Sequence, residues 1–155
     1  MNSIKIKTKP NLSKRIYACL IDYGLIFAFT IGMLIFFGEE GEDGSHRLTG
    51  IPALSVLLFW GVITVGIEQI LGTTIGNYLN ELKPISIKGD LNNEGLSFGQ
   101  SVKRHLLDCI DIYTLGIIGI ITIKNSKYNQ RLGDIWAKTI VVDIKDNEQG
   151  IKIED

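Results

Sequence analysis

Acidic side chains stand inside the most apolar stretches of this sequence. Asp22 interrupts the first stretch, Glu68 the second, and Asp108 and Asp111 the first half of a third. Charged groups at membrane depth cost about 2.5 to 3.5 kcal/mol each on insertion scales, so they normally face partners or water-filled space. Such carboxylates could hold a proton or a monovalent cation, since burial and neighbouring charges tune their protonation. They could equally join helices through buried ion pairs without any turnover.

Basic residues stand at the ends of the same stretches. Arg15 precedes the first stretch and Arg104 the third. Arg15 and Asp22 are seven residues apart, which places them on one helix face but about two turns apart, with both side chains leaning toward the N-terminus. Each is therefore expected to find its partner on another helix. The candidate ion or proton site drawn from these residues is Arg15, Asp22, Glu68, Arg104, Asp108 and Asp111.

Three apolar segments must position these side chains. Residues 16–38 and 51–71 each hold one acidic residue and reach the length of about 20 residues that a membrane span requires. Residues 106–123 are shorter and more polar, so this segment either crosses the membrane or lies in its interface as an amphipathic or re-entrant element. The sequence thus predicts an all-α membrane protein with two full spans, a shorter third segment and the lipid bilayer as its surroundings.

Lysine and arginine are distributed unevenly around these segments. Several precede the first span and several more lie in residues 72–105, whereas the loop between the two spans offers only Arg47. Cytoplasmic loops carry the excess of basic residues. We therefore expect an integral protein of a bacterial-type plasma membrane, with its N-terminus and residues 72–105 in the cytoplasm.

Two short segments outside the spans have the composition of β-strands. Residues 83–90 and 138–145 are rich in β-branched side chains, and paired strands must share one side of the membrane. This favours a cytoplasmic C-terminal tail and a third segment that does not cross. A crossing third segment would instead place a basic tail outside, against the charge rule. The predicted organisation is a cytoplasmic arm (1–15), a membrane domain (16–142) and a polar tail (143–155).

Other functional classes find little support. The net charge of −1 supplies no excess of cations for nucleic acid. Cys19 and Cys109 lie in apolar runs, where cysteine usually packs as a small hydrophobic residue. His46 and His105 have no zinc-ligand spacing, and no arrangement of serine, histidine and aspartate suggests a hydrolase. We expect no metal, no cofactor and no enzymatic activity.

Three blocks, KRIYACLIDYGLI, GTTIGN and QRLGDIWAKTIVV, occur in this order along the chain. Together they resemble the RDD family of small membrane proteins, and the resemblance covers most of residues 12–142. That family is named for one arginine and two aspartates, which Arg15, Asp22 and Asp134 match. Arg104 resembles the arginine that commonly precedes the family's third hydrophobic segment. Through the resemblance, Arg131 and Asp134 join the candidate ion or proton site. The positions that match the motif as structural residues are Gly72, Thr74, Gly76, Gly133 and Thr139.

The central block departs from the family pattern at two positions. Thr73 stands where glutamine is usual, and Asn77 replaces the usual lysine or arginine. The resemblance implies three transmembrane segments and a family often linked to transport, without a common established substrate. The resemblance also implies that Asp134 lies close to the cytoplasmic half of the membrane, if this residue acts together with Arg15 and Asp22.

Two functions remain open from the sequence. The first is a small cation- or proton-coupled transporter, or a subunit of one; three short segments enclose little volume, so this reading requires oligomerisation. The second is a membrane scaffold or accessory subunit whose polar groups bind a helix of a partner membrane protein.

Overall fold

The structure of the protein is a computed structural model that describes residues 8–42, 44–87 and 95–148. It is mostly helical and has two helices long and apolar enough to span a membrane, α1 (Leu12–Phe37) and the segment Gly50–Leu71, called the second span here. This confirms the two spans predicted at residues 16–38 and 51–71. Helix α1 begins earlier than the predicted span, at Leu12, and its first turn contacts the C-terminal part of the chain, where Lys14 Nζ lies 2.6 Å from Asp143 Oδ2. Of the predicted arm, residues 1–7 lie outside the described residues.

The second span is not a uniform helix. It comprises α2 (Gly50–Gly61), a π-helical turn (Val62–Gly66) and α3 (Ile67–Leu71). The remaining elements in chain order are β1 (Glu39–Glu40) and β2 (His46–Arg47), which pair in the loop between the spans, and then α4 (Ile75–Leu79), β3 (Leu82–Ser86), α5 (Phe98–Leu106), α6 (Asp108–Tyr113), α7 (Ile117–Asn125), α8 (Leu132–Ala137), β4 (Thr139–Asp143) and α9 (Ile144–Glu148).

Helix α1 turns a narrow face to the protein and a broad apolar face outward. Its buried residues are Ala18, Asp22 and Ile26, spaced four apart on one side of the helix. Large apolar side chains such as Phe27 and Ile35 are exposed on the rest of its surface. An interior that carries the acidic residue and an exterior that is apolar are what contact with a lipid bilayer requires.

The third apolar segment is broken into two helices. The stretch on one side of the break, Phe98–Tyr113, comprises α5 and α6, and it is bent by 119° relative to α7 (Ile117–Asn125) on the other side. Leu115 at φ +51° and Gly116 at φ +78° form the turn between them. We call residues 98–125 the bent segment. Its polar side chains Arg104 and Asp108 face the protein interior and are almost fully buried.

Strands β3 and β4 pair in an antiparallel ladder that runs from Leu82 opposite Asp143 to Ser86 opposite Thr139. Strand β4 falls within the predicted segment 138–145, and β3 overlaps the predicted segment 83–90 but begins one residue before it, at Leu82. Residues 88–90 lie outside the described residues, as do residues 149–155 of the predicted tail. Because β3 follows the second span, β4 follows the bent segment, and α5 packs against α8, the chain leaves the bent segment at the level at which it entered. This return favours a re-entrant element over a broken span, the two arrangements that such a bent helix pair allows. The side of the membrane on which the segment lies stays a prediction.

The surface formed by α5 and α8 is suited to the membrane interface. Trp136 and Phe98 are well exposed, and Lys103 Nζ lies 5.8 Å from the centroid of the Trp136 ring. Tryptophan is enriched at the level of the lipid head groups, where its ring contacts both apolar and polar surroundings. Trp60, by contrast, lies near the middle of the second span, about 15 Å along its axis from Gly50.

We therefore expect the two tryptophans of the chain to differ in membrane depth. In a Trp60→Phe variant, the fluorescence of Trp136 should be quenched most by lipids brominated close to the head group. In a Trp136→Phe variant, the fluorescence of Trp60 should be quenched most by lipids brominated near the chain end. Equal quenching profiles for the two variants would contradict this placement of α8.

Candidate functional site

Arg104 lies at the centre of a buried ion-pair cluster. Its side chain is inaccessible to solvent; its Nε donates to Asp134 Oδ1 at 2.9 Å, and its Nη1 donates to Glu68 Oε1. These contacts join α5 to α8 and to the second span. A buried arginine with two carboxylate partners is neutralised in place, which is the condition under which a protein interior tolerates such a charge.

Hydrogen bonds at the N-terminus of α5 and along its side fix the position of the helix that carries Arg104. Its N-terminus carries a capping box, in which Gln100 N donates to Ser97 Oγ and Ser97 N donates to Gln100 Oε1. The Gln100 side chain also donates to Ala137 O at 3.0 Å, and Gln69 Nε2 of the second span donates to Ser101 Oγ at 2.7 Å. Local capping and two side-chain ties thus fix the direction of α5.

Asp134, at the start of α8, collects three positive charges. Its oxygens accept from Arg104 Nε at 2.9 Å and from Arg15 Nη1 at 3.4 Å, and the Arg131 guanidinium lies near, with its Nε 3.8 Å from Asp134 Oδ2. The backbone N of Arg131 also donates to Asp134 Oδ2 at 3.1 Å. Burial alone would raise the pKa of Asp134, but the charges of Arg104, Arg131 and Arg15 together lower that pKa below its usual value. Asp134 is therefore a stable anion rather than an exchangeable proton site.

Asp108 is a second meeting point, shared by α1, α5 and the loop before α8. It accepts from Tyr23 OH at 2.9 Å and from Arg131 Nη1 at 3.1 Å, and it lies 2.8 Å from His105 Nδ1. Burial would lower the pKa of Arg131, but the carboxylates of Asp108 and Asp134 raise that pKa above its usual value. Arg131 therefore stays charged and links the two aspartates.

Asp22 makes a different kind of contact, with uncharged donors. Its Oδ2 accepts from Thr74 Oγ1 at 2.7 Å, and its Oδ1 accepts from the backbone N of Gly76 at 2.7 Å. Thr74 is also the N-cap of α4, and Gly72 at φ +73° ends the second span just before it. Asp22 thus fastens α1 to the turn that follows the second span.

The glycines of the family blocks allow close backbone approach. A side chain at Gly76 would collide with the carbonyl oxygen of Ala18, and one at Gly133 would collide with the carbonyl oxygen of Arg104. Thr139 adds a contact across α8, since its Oγ1 donates to Asp134 O at 3.4 Å. These positions serve the packing that brings the charged groups together.

A cavity of about 490 Å³ lies between α1 and the bent segment. Its walls are largely apolar, and its polar lining includes Asp22, His105, Asp108 and Asp111. Asp111 stands apart from the ion pairs: its Oδ1 is buried and has no hydrogen-bond partner among the described residues. A Cβ at Gly119 would lie 3.0 Å from that oxygen, so the carboxylate rests directly against this glycine.

The structure brings the predicted residues together in two groups. Asp22 and Asp111 face the cavity beside the ion-pair network. The sequence interpretation did not assign Tyr23 or His105 to the site. For His105 a signal was present, because residues three apart on a helix, such as His105 and Asp108, lie close enough to interact. The network itself joins Arg15, Glu68, Arg104, Asp108, Arg131 and Asp134.

Comparison with known families confirms the family that the three sequence blocks resemble. The profile of the RDD family matches residues 9–138, which is most of the chain. No curated protein and no solved structure shows a significant match to it. Taken with its two membrane-spanning helices and the joined arginine and aspartates of its motif blocks, the chain belongs to the RDD family of integral membrane proteins.

Proposed function

We propose that this RDD-family protein binds a proton or a monovalent cation at the carboxylates of its cavity and moves it across the membrane, as a small transporter or a transport subunit. The observation that carries the proposal is Asp111, an acid in an apolar segment that lines the cavity and has no hydrogen-bond partner on its buried oxygen within the described part of the chain. Asp111 is only half-buried as a residue, but a buried carboxylate oxygen left in this way is unfavourable unless a proton or cation joins it.

The charges around the cavity support a positively charged ligand. Asn77 lines the cavity at the position where the family usually has lysine or arginine, so that cation is missing here. The three arginines Arg15, Arg104 and Arg131 face the five carboxylates Asp22, Glu68, Asp108, Asp111 and Asp134. Negative charge therefore exceeds the fixed positive charge of the arginines.

The proposal keeps the orientation expected from the charge distribution, with the N-terminus and the β3–β4 sheet in the cytoplasm of a bacterial-type cell. It also requires an oligomer, because two spans and a re-entrant segment leave the cavity without a second wall that crosses the membrane. The role is non-enzymatic.

Flux measurements in proteoliposomes test the proposal. We expect proton or cation flux for the wild type under sodium, potassium or lithium gradients, and a loss of at least about tenfold in Asp111→Asn. This variant removes a charge without removing a hydrogen bond, whereas Asp22→Asn would also disturb the contacts to Thr74 and Gly76. Glu42→Gln, in the exposed loop between the spans, is the matched control and should keep wild-type flux. A folded wild type that moves none of these ions would contradict the transport role.

A scaffold or accessory subunit is the second candidate, and the contacts of Asp22 favour it. Both Asp22 oxygens are occupied by donors of the same chain, as expected for an acid that only joins helices. Size in detergent separates the two candidates. A stable homo-oligomer favours transport, whereas a monomer without flux that co-purifies with another membrane protein favours the scaffold.

A further inference from the structure

His105 is placed between two carboxylates from different elements. Its ring Nδ1 lies 2.8 Å from Asp108 Oδ2, and its ring Nε2 lies 3.5 Å from Glu68 Oε2. The side chain is only 4% exposed, and it lines the cavity described above. The histidine therefore bridges the second span and α6 from its position at the end of α5.

The two contacts cannot both be satisfied by a neutral ring. A neutral imidazole has one N–H donor and one acceptor nitrogen, whereas an ionised carboxylate only accepts. One ring nitrogen of neutral His105 would thus face a carboxylate oxygen, lone pair to lone pair. His105 Nε2 and Glu68 Oε2 are also both buried atoms without a hydrogen-bond partner among the described residues. A single proton on Nε2 would supply the missing donor for both.

We propose that His105 is the proton-binding residue of the cavity, and that its protonated ring links Glu68 to Asp108. The other charged groups that face it are Asp22 of α1 and Arg104 of its own helix. Arg104 already donates to Glu68 Oε1, and Arg131 and Tyr23 already donate to Asp108, so neither carboxylate depends on the histidine alone. When the proton leaves His105, each carboxylate therefore keeps at least one other hydrogen-bond donor.

Loss of this proton changes the charge of the cavity by one unit. With His105 protonated, four positive charges face five carboxylates; with a neutral ring, three positive charges face the same five. The deprotonated cavity therefore attracts a cation more strongly, and by linkage a bound cation favours release of the proton. The exchange of a proton for a cation deepens the proposed function, and this consequence rests on that function.

Nitrogen NMR on the full chain in lipid nanodiscs tests the assignment directly. The chain has two histidines, so a His46→Gln variant labelled with ¹⁵N-histidine reports on His105 alone. We expect the two ring nitrogens to pass from the imidazolium to a neutral tautomer as the pH is raised in a titration from about pH 5 to 9. Asp108→Asn should lower the midpoint of this titration by about one pH unit or more, because one of the two facing anions is gone. Glu42→Gln should leave it in place.

Ring nitrogens that stay in one protonation state from about pH 5 to 9 would overturn the proposal and make His105 a permanent structural contact. This outcome is read on the unaltered site, so it does not depend on whether Asp108→Asn folds. The result is also separable from the proposed transport. Flux without titration of His105 would sink this inference alone, whereas titration without flux for any cation would support the proton site and sink the transport role.

Discussion

Replacement of Arg104 by alanine is expected to lower the free energy of unfolding by about 3 to 5 kcal/mol. The side chain has no exposed surface and pairs with both Glu68 and Asp134, so its removal leaves two buried carboxylates without their main partner. Removal of one partner of a buried pair is far more damaging than the pair itself is stabilising, because the remaining charge is still desolvated. Unfolding in mixed micelles of increasing SDS fraction measures the change.

Lys103→Ala is the matched control, because Lys103 lies next to Arg104 on α5 but is exposed, and its ammonium group makes a cation–π contact with the exposed ring of Trp136. We expect a change of about 1 kcal/mol or less for it. Arg104→Lys should fall between the two variants, because an ammonium restores the charge but cannot reach Glu68 and Asp134 with the planar fork of a guanidinium. A loss of stability in Arg104→Ala no larger than that in Lys103→Ala would show that the cluster does not hold α5, α8 and the second span together.

The membrane character of this chain could be predicted from composition alone, because a span needs only a long apolar run. The ends of the second span were predicted to within one residue, and the two strands were visible as β-branched segments. The bend of the third segment was not visible. The bend depends on a backbone φ of +51° at Leu115. Leucine rarely adopts such a positive φ, so the local sequence does not predict it.

The partners of the charged residues were also beyond sequence reasoning. Arg104 meets Glu68 and Asp134 across 36 and 30 residues of chain, and such pairs depend on how helices pack rather than on spacing. The position of the acids inside apolar segments predicted that they would need partners. It could not predict that Asp134 would be surrounded by arginines, whereas Asp111 Oδ1 has no hydrogen-bond partner among the described residues. The family resemblance supplied Asp134 itself, since nothing around that residue is apolar enough to mark it.

The contact between α1 and the turn after the second span gives the other large expected effect. Gly76→Ala should lower the free energy of unfolding by about 3 kcal/mol, near the upper end for overpacking, because the new methyl group would meet backbone atoms of Ala18 that cannot move aside. It would also lie 2.8 Å from Asp22 Oδ2 and so disturb the hydrogen bonds that hold this carboxylate. The same SDS unfolding measurement applies.

Gly32→Ala is the control for this substitution, because a Cβ at Gly32 has no neighbour within 4 Å and alanine is the better helix former. It should change stability by about 1 kcal/mol or less, in the stabilising direction. If Gly76 matters through Asp22, then Gly76→Ala and Asp22→Asn should be less than additive in the double variant, since each disrupts the same contact. Full additivity would mean that the glycine is required for the approach of Ala18 alone and that Asp22 is free to serve the cavity.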